Sequence, residues 1–168
     1  MEKPKKEEAP SNRINAGIYV MEKKSLEYIP AGREVSIERE TFPLLIQQGE
    51  GVYGTTISGF WMDMGTRERY RDIHWEILNR KTRIPIPGEE TSNGIWIGKG
   101  CRIGDGVMLI PPVIIGNRVT IGDRSIIGPY TVIGDDCKIA GNVRCSETIM
   151  WDGCTVGEDV QLHHCVIG

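Results

Sequence analysis

Residues 95–143 read IWIGKGCRIGDGVMLIPPVIIGNRVTIGDRSIIGPYTVIGDDCKIAGNV, and one aliphatic series runs through them at every sixth position. Ile97, Ile103, Leu109, Ile115, Ile121, Ile127, Ile133 and Ile139 stand in strict register. Glycine follows most of them, at Gly98, Gly104, Gly116, Gly122, Gly128 and Gly134. Four residues after each aliphatic comes a small or β-branched residue: Cys101, Val107, Val113, Val119, Ser125, Thr131, Cys137 and Val143. A helix needs a period near 3.6 and a half-buried strand a period of 2, and a period of six is neither. It is the period of a solenoid with short parallel strands as sides and turns as corners. The aliphatic points inward and stacks on its counterpart one coil away. The glycine after it lets the chain turn, through positive φ or through close approach of another backbone. After Val143 the register slips, Val156-Gly157 and Leu162 restart it, and Ile167-Gly168 follows five residues later. The last repeat ends without a polar cap, which reads as a truncation or a docking edge.

Outward from the repeat, residues 81–94 hold two prolines and two glycines and few apolar residues, and read as a linker. Residues 1–80 read as a mixed α/β segment. Thr66 is expected to cap a helix whose core stripe is Tyr70, Ile73, His74, Ile77 and Leu78. His74, on that stripe, reads as structural. Ser36 opens a second helix through Phe42, Leu44, Leu45 and Ile46, stopping at Gly49.

Composition excludes several classes. The net charge is −3 with no basic field, so no nucleic-acid partner is expected. No apolar run approaches the roughly 18–20 residues of a membrane span, so no membrane partner is expected either. The charges of Met1–Glu8 have no apolar stretch behind them, unlike a secretory signal. Five cysteines, an odd number without a Cys-x-x-Cys pair, point to a reduced, cytoplasmic protein. His163 and His164 are adjacent on a strand and should face opposite sides, a poor arrangement for one metal.

Glu2-Lys3-Pro4, Asn15-Ala16-Gly17-Ile18-Tyr19 and Gly59-Phe60-Trp61-Met62-Asp63-Met64-Gly65-Thr66, followed by a helix with His74-Trp75 and then by the hexads, occur in this order. Together they resemble the sugar-phosphate nucleotidyltransferases, most of all the mannose-1-phosphate guanylyltransferase-like members with a C-terminal hexapeptide-repeat β-helix. The resemblance spans essentially the whole chain. It implies a left-handed β-helix over 95–168, where general crossover rules alone give the opposite hand. The implied activity joins a hexose 1-phosphate to a nucleoside triphosphate, giving an NDP-sugar and pyrophosphate. Glu2 and Lys3 would then contact the sugar phosphate, with Asn15, Ala16 and Gly17 lining the sugar pocket. Asp63 would hold Mg²⁺, which takes one or two carboxylates plus substrate phosphates, and Lys3 would offer a point charge. Glu2 and Lys3 could instead belong to a charged tail, Asn15 to a turn, and Asp63 to a strand-to-helix corner.

The family's Gly-x-Gly-Thr-Arg loop for the triphosphate does not occur in this sequence. The chain therefore reads as an internal piece of a longer enzyme, expected to be inactive alone. Two other classes compete: a non-catalytic regulatory or oligomerising solenoid, with self-association through the β-helix, and a hexapeptide acyltransferase using His163 or His164.

Overall fold

The computed structural model describes residues 11 and 13–168. Two compact units divide at Trp61/Met62, and each is described by itself.

In the first unit, Lys23–Tyr28 forms a tight 3₁₀ helix and Ile37–Thr41 a wide π turn that runs directly into α1, Phe42–Gln47. The Ser36 hydroxyl accepts the Arg39 N–H at 3.2 Å, so the cap expected at Ser36 is present. The Thr41 N–H reaches back five residues to the Ser36 carbonyl at 3.2 Å. Pro43 has no N–H to bond the carbonyl four residues before it, and the wider turn accompanies that gap. Gly49, with φ of 78°, ends the helix as expected. Among the described residues before Glu89 there is no strand. Extended segments in this stretch leave Val20 and Ile57 exposed, because a strand forms only where a neighbour takes its N–H and C=O groups.

The second unit is α2, Arg67–Leu78, and a parallel β-solenoid. Three sheets make its sides. The first joins 95–97, 113–115, 131–133, 149–150 and 166–167, with Glu89–Ser92 added antiparallel at its start. The second joins 102–103, 120–121, 138–139 and 155–156, and the third 108–109, 126–127, 144–146 and 161–163. Ile97 pairs with Ile115 and Ile115 with Ile133, a repeat of 18 residues, or three hexads. Ile133 pairs with Met150 and Met150 with Ile167, a repeat of 17. The register slip is thus one residue lost at the corner Ser146-Glu147-Thr148, five residues from inward Cys145 to inward Met150.

The core is the inward stack. Ile115, Ile121, Ile127, Ile133 and Ile139 are fully buried, with Val119, Ser125, Thr131, Cys137 and Val143 beside them. The glycines show which of their two uses applies. Gly98, Gly104, Gly116, Gly122 and Gly134 have no positive φ; a Cβ on Gly116 would sit 2.6 Å from Asp135 Oδ1 and 2.7 Å from the Gly134 carbonyl carbon. They are small because adjacent coils touch there. Positive φ comes two residues later, at Gly100, Gly106, Arg118, Arg124, Asp136 and Asn142. Ala140 replaces one of these glycines, and its N–H bond to the Val156 carbonyl is 3.0 Å against 2.7–2.8 Å at the five glycines.

The segment expected as a linker has structure of its own. Ile86 packs on the cluster of Leu78, Trp96 and Ile114, and Glu89–Ser92 pairs with Ile95–Ile97. The helix α2 belongs to this unit. Trp75 lies edge-on to Tyr130 at 5.7 Å, and the Trp151 indole N–H donates to Tyr70 Oη at 3.0 Å. Among the described residues no helix is long and apolar enough to cross a membrane.

Candidate functional site

Glu2 and Lys3 lie outside the described residues. Asn15, Ala16 and Gly17 form an Asx turn, in which Asn15 Oδ1 accepts the Gly17 N–H at 2.9 Å and Gly17 takes φ of 70°. Nothing lies within 4 Å of where a Gly17 Cβ would stand, so this glycine is required by its φ and not by crowding. The Asn15 amide donates to Tyr19 Oη at 2.7 Å and to Glu38 Oε1 at 2.9 Å, and the Tyr19 hydroxyl donates to the same Glu38 oxygen at 2.5 Å. That bond to Glu38 raises the Tyr19 pKa, so the phenol stays protonated. The Trp61 indole N–H donates to the Ala16 carbonyl at 3.2 Å.

Both N–H groups of the Asn15 amide are thereby used within the chain. Among the described residues no partner takes the second Glu38 oxygen, and Asn15 Oδ1 takes only the Gly17 N–H, a pair of acceptors suited to ligand hydroxyls. Glu38 and Tyr19 join the Asn15 turn through these bonds. Tyr19 closes the Asn15–Tyr19 string; Glu38 is 23 residues from Asn15, and no local pattern marks it.

In the second unit, Asp63 is exposed and its Oδ1 accepts the Gly65 N–H at 3.2 Å. Thr66 caps α2 by accepting the Arg69 N–H at 3.2 Å. Asp63 thus sits in a tight turn directly before the helix, and among the described residues its Oδ2 has no hydrogen-bond partner. Among the described residues no three His, Cys, Asp or Glu side chains gather as a metal cage. One open carboxylate fits a cation whose remaining ligands are substrate phosphates and water.

His74 is half-buried, and its Nδ1 lies 2.7 Å from the Tyr70 carbonyl; the carbonyl can only accept, so Nδ1 carries a proton. His163 and His164 do not alternate as a strand would place them. His164 has φ of 57° at a corner, which brings the two rings to 5.9 Å. His163 Nδ1 meets Ser146 Oγ and His164 Nδ1 meets Glu147 Oε2, each at 2.9 Å. All five cysteines are free.

Comparison with known proteins finds two family matches along the chain. Residues 1–80 match the nucleotidyl transferase family, and residues 109–168 match the family described as the GMPPB C-terminal domain. A mannose-1-phosphate guanylyltransferase of Mycobacterium tuberculosis is 36% identical over 123 residues, covering 62% of this chain and 34% of that protein. A UTP–glucose-1-phosphate uridylyltransferase of Synechocystis is 36% identical over 98 residues, covering 58% and 25%. The mannose-1-phosphate guanylyltransferase catalytic subunit beta of Drosophila pseudoobscura is 35% identical over 113 residues, covering 61% and 29%. The chain thus spans about a third or less of the length of these relatives. A serine acetyltransferase isoform 3 from Entamoeba histolytica, solved with cysteine, aligns with 46% of this chain and 36% of its own at 21% identity and a TM-score of 0.28.

Proposed function

We propose, for a chain that joins a nucleotidyl transferase segment to a GMPPB C-terminal domain, that it supplies the sugar-phosphate side of an enzyme making an NDP-sugar. The reaction is condensation of a hexose 1-phosphate with a nucleoside triphosphate, with mannose 1-phosphate and GTP as the first pair to test. The observation that carries this reading is the two family matches in order, the first of them spanning the Asn15 turn and Asp63.

Asn15 Oδ1 and Ala16-Gly17 would line the sugar pocket, with Glu2 accepting sugar hydroxyls. Lys3 would set its charge against the sugar phosphate. A phosphate oxygen of the sugar attacks the α-phosphorus of the triphosphate; the new P–O bond forms as the bond to pyrophosphate breaks. Asp63 would hold a divalent cation, Mg²⁺, which when bound neutralises charge on the α-phosphate. The triphosphate grip is not among this chain's motifs, so the chain alone is without turnover. The free cysteines suit a cytoplasmic setting, and the stacked open coils suit self-association.

The test is a graft. Residues 1–168 replace the matching segment of the Mycobacterium guanylyltransferase, and pyrophosphate release is followed with mannose 1-phosphate and GTP. Release at the parent's order of rate, abolished by Asp63→Asn, is expected. A folded graft without release overturns the reading. Release by the isolated chain overturns the claim that it is inactive alone.

A further inference from the structure

The outer side of the third sheet carries a second feature. Ile126, Arg144, Ser146, Gln161 and His163 line a groove of about 240 Å³ there, with inward-facing Leu162 at its edge. Arg144 and Gln161 are neighbours in register on adjacent coils, and Ser146 and His163 are neighbours in register at the end of the same two strands. The one-residue loss at the Ser146-Glu147-Thr148 corner sets this geometry, because the pairing Ser146↔His163 has the 17-residue spacing.

The guanidinium of Arg144 meets no carboxylate among the described residues, whereas Arg118 on another corner is clamped by both oxygens of Asp136 at 2.7 Å. Ser146 Oγ lies 2.9 Å from His163 Nδ1. With the serine hydroxyl donating, the ring proton sits on Nε2, and His163 offers a donor outward. Gln161 adds amide donors. One unneutralised guanidinium fork and two neutral donors beside Ile126 are complementary to a tetrahedral oxyanion.

We propose that this groove binds a phosphoryl group, with Arg144 as its charged ligand, His163 and Gln161 as hydrogen-bond donors, and Ser146 as the residue that positions His163. The site uses none of the residues assigned to nucleotidyl transfer and stands independently of that reading.

Calorimetric titration of the full chain with inorganic phosphate, methyl phosphate and pyrophosphate tests it, with acetate as the planar control. Saturable binding of at least one phosphoryl compound is expected, at least tenfold tighter than acetate. Arg144→Gln should weaken it at least tenfold and Ser146→Ala several-fold, while Arg102→Gln, on a different sheet, leaves it unchanged. Preference for pyrophosphate identifies a diphosphate ligand, and preference for methyl phosphate a monoester. If Arg144→Gln fails to fold by circular dichroism, Ser146→Ala and the shift of the His163 ring resonances on adding phosphate decide. Absence of saturable binding, or binding by folded Arg144→Gln as tight as wild type, overturns the proposal.

Discussion

Ile103 and Ile121 pair on adjacent coils and point into the same stack, yet Ile103 is 41% exposed and Ile121 1%. The difference is position, since Ile121 lies between Ile103 and Ile139 while Ile103 lies on the first coil. Ile121→Ala removes three carbons. At about 0.8 kcal/mol per buried carbon this costs about 2.4 kcal/mol of transfer. A cavity closed above and below cannot collapse, which raises the total to about 3–4 kcal/mol. Ile103→Ala leaves an open notch that water fills, and costs about 1 kcal/mol. Equilibrium urea unfolding of both variants beside wild type, followed by far-UV circular dichroism, measures the two losses. Ile121→Val, at about 1 kcal/mol, controls for the change of shape. Equal losses for the two alanine variants would refute the reasoning, because they would mean that the first coil's stack is as closed as the second's.

Gly116→Ala places a Cβ against the backbone of the next coil and should cost about 1–3 kcal/mol in the same assay. Thr66→Ala removes the hydroxyl that accepts the Arg69 N–H, and should lower stability by about 1 kcal/mol, with Thr66→Asp restoring it. Burial pushes the Cys145 thiol from its ordinary 9.0 up to about 11. Because the folded value is the raised one, its contribution to stability is complete below pH 9.0 and is lost as pH rises through about 11, which urea midpoints across that interval will show. Cys145 should also react with a thiol reagent far more slowly than half-buried Cys165 at pH 8, a comparison read by mass spectrometry of the trapped thiols.

The hexads were legible because a solenoid repeats one local problem. Each coil has to bury the same inward residue, so the period stands in the sequence itself. The docking of α2 was half legible. Its stripe from Tyr70 to Leu78 is periodic in sequence, whereas Trp75 packs from outside that stripe. The partner surface was also written in the chain, at three times the hexad period. The residue before each inward aliphatic is Trp96, Ile114 and Val132 on the first sheet, against Arg102, Thr120 and Lys138 on the second. The third sheet has Met108, Ile126 and Arg144 there, so only the first sheet keeps an apolar outward residue through three coils, and that is the face a helix covers. His163 and His164 misled because alternation assumes a continuing strand, and the chain turns between them with His164 at positive φ.

By itself the sequence determined that residues 95–168 coil with an aliphatic stack inside, that Thr66 caps a helix, and that the Asn15 and Asp63 strings stand in a family's order. These are periodic or local properties, and nearest neighbours in the chain suffice to decide them. Only the tertiary structure decided that Gly98, Gly104, Gly116, Gly122 and Gly134 serve close approach and not positive φ, while Gly128 serves both, since that depends on backbone distant in sequence. Only it joined Glu38 to Asn15 and Tyr19, and set Arg144 and His163 around one groove. Those pairings come from register between segments distant in sequence, and the lost residue at Ser146-Glu147-Thr148 shows how one position changes what faces what.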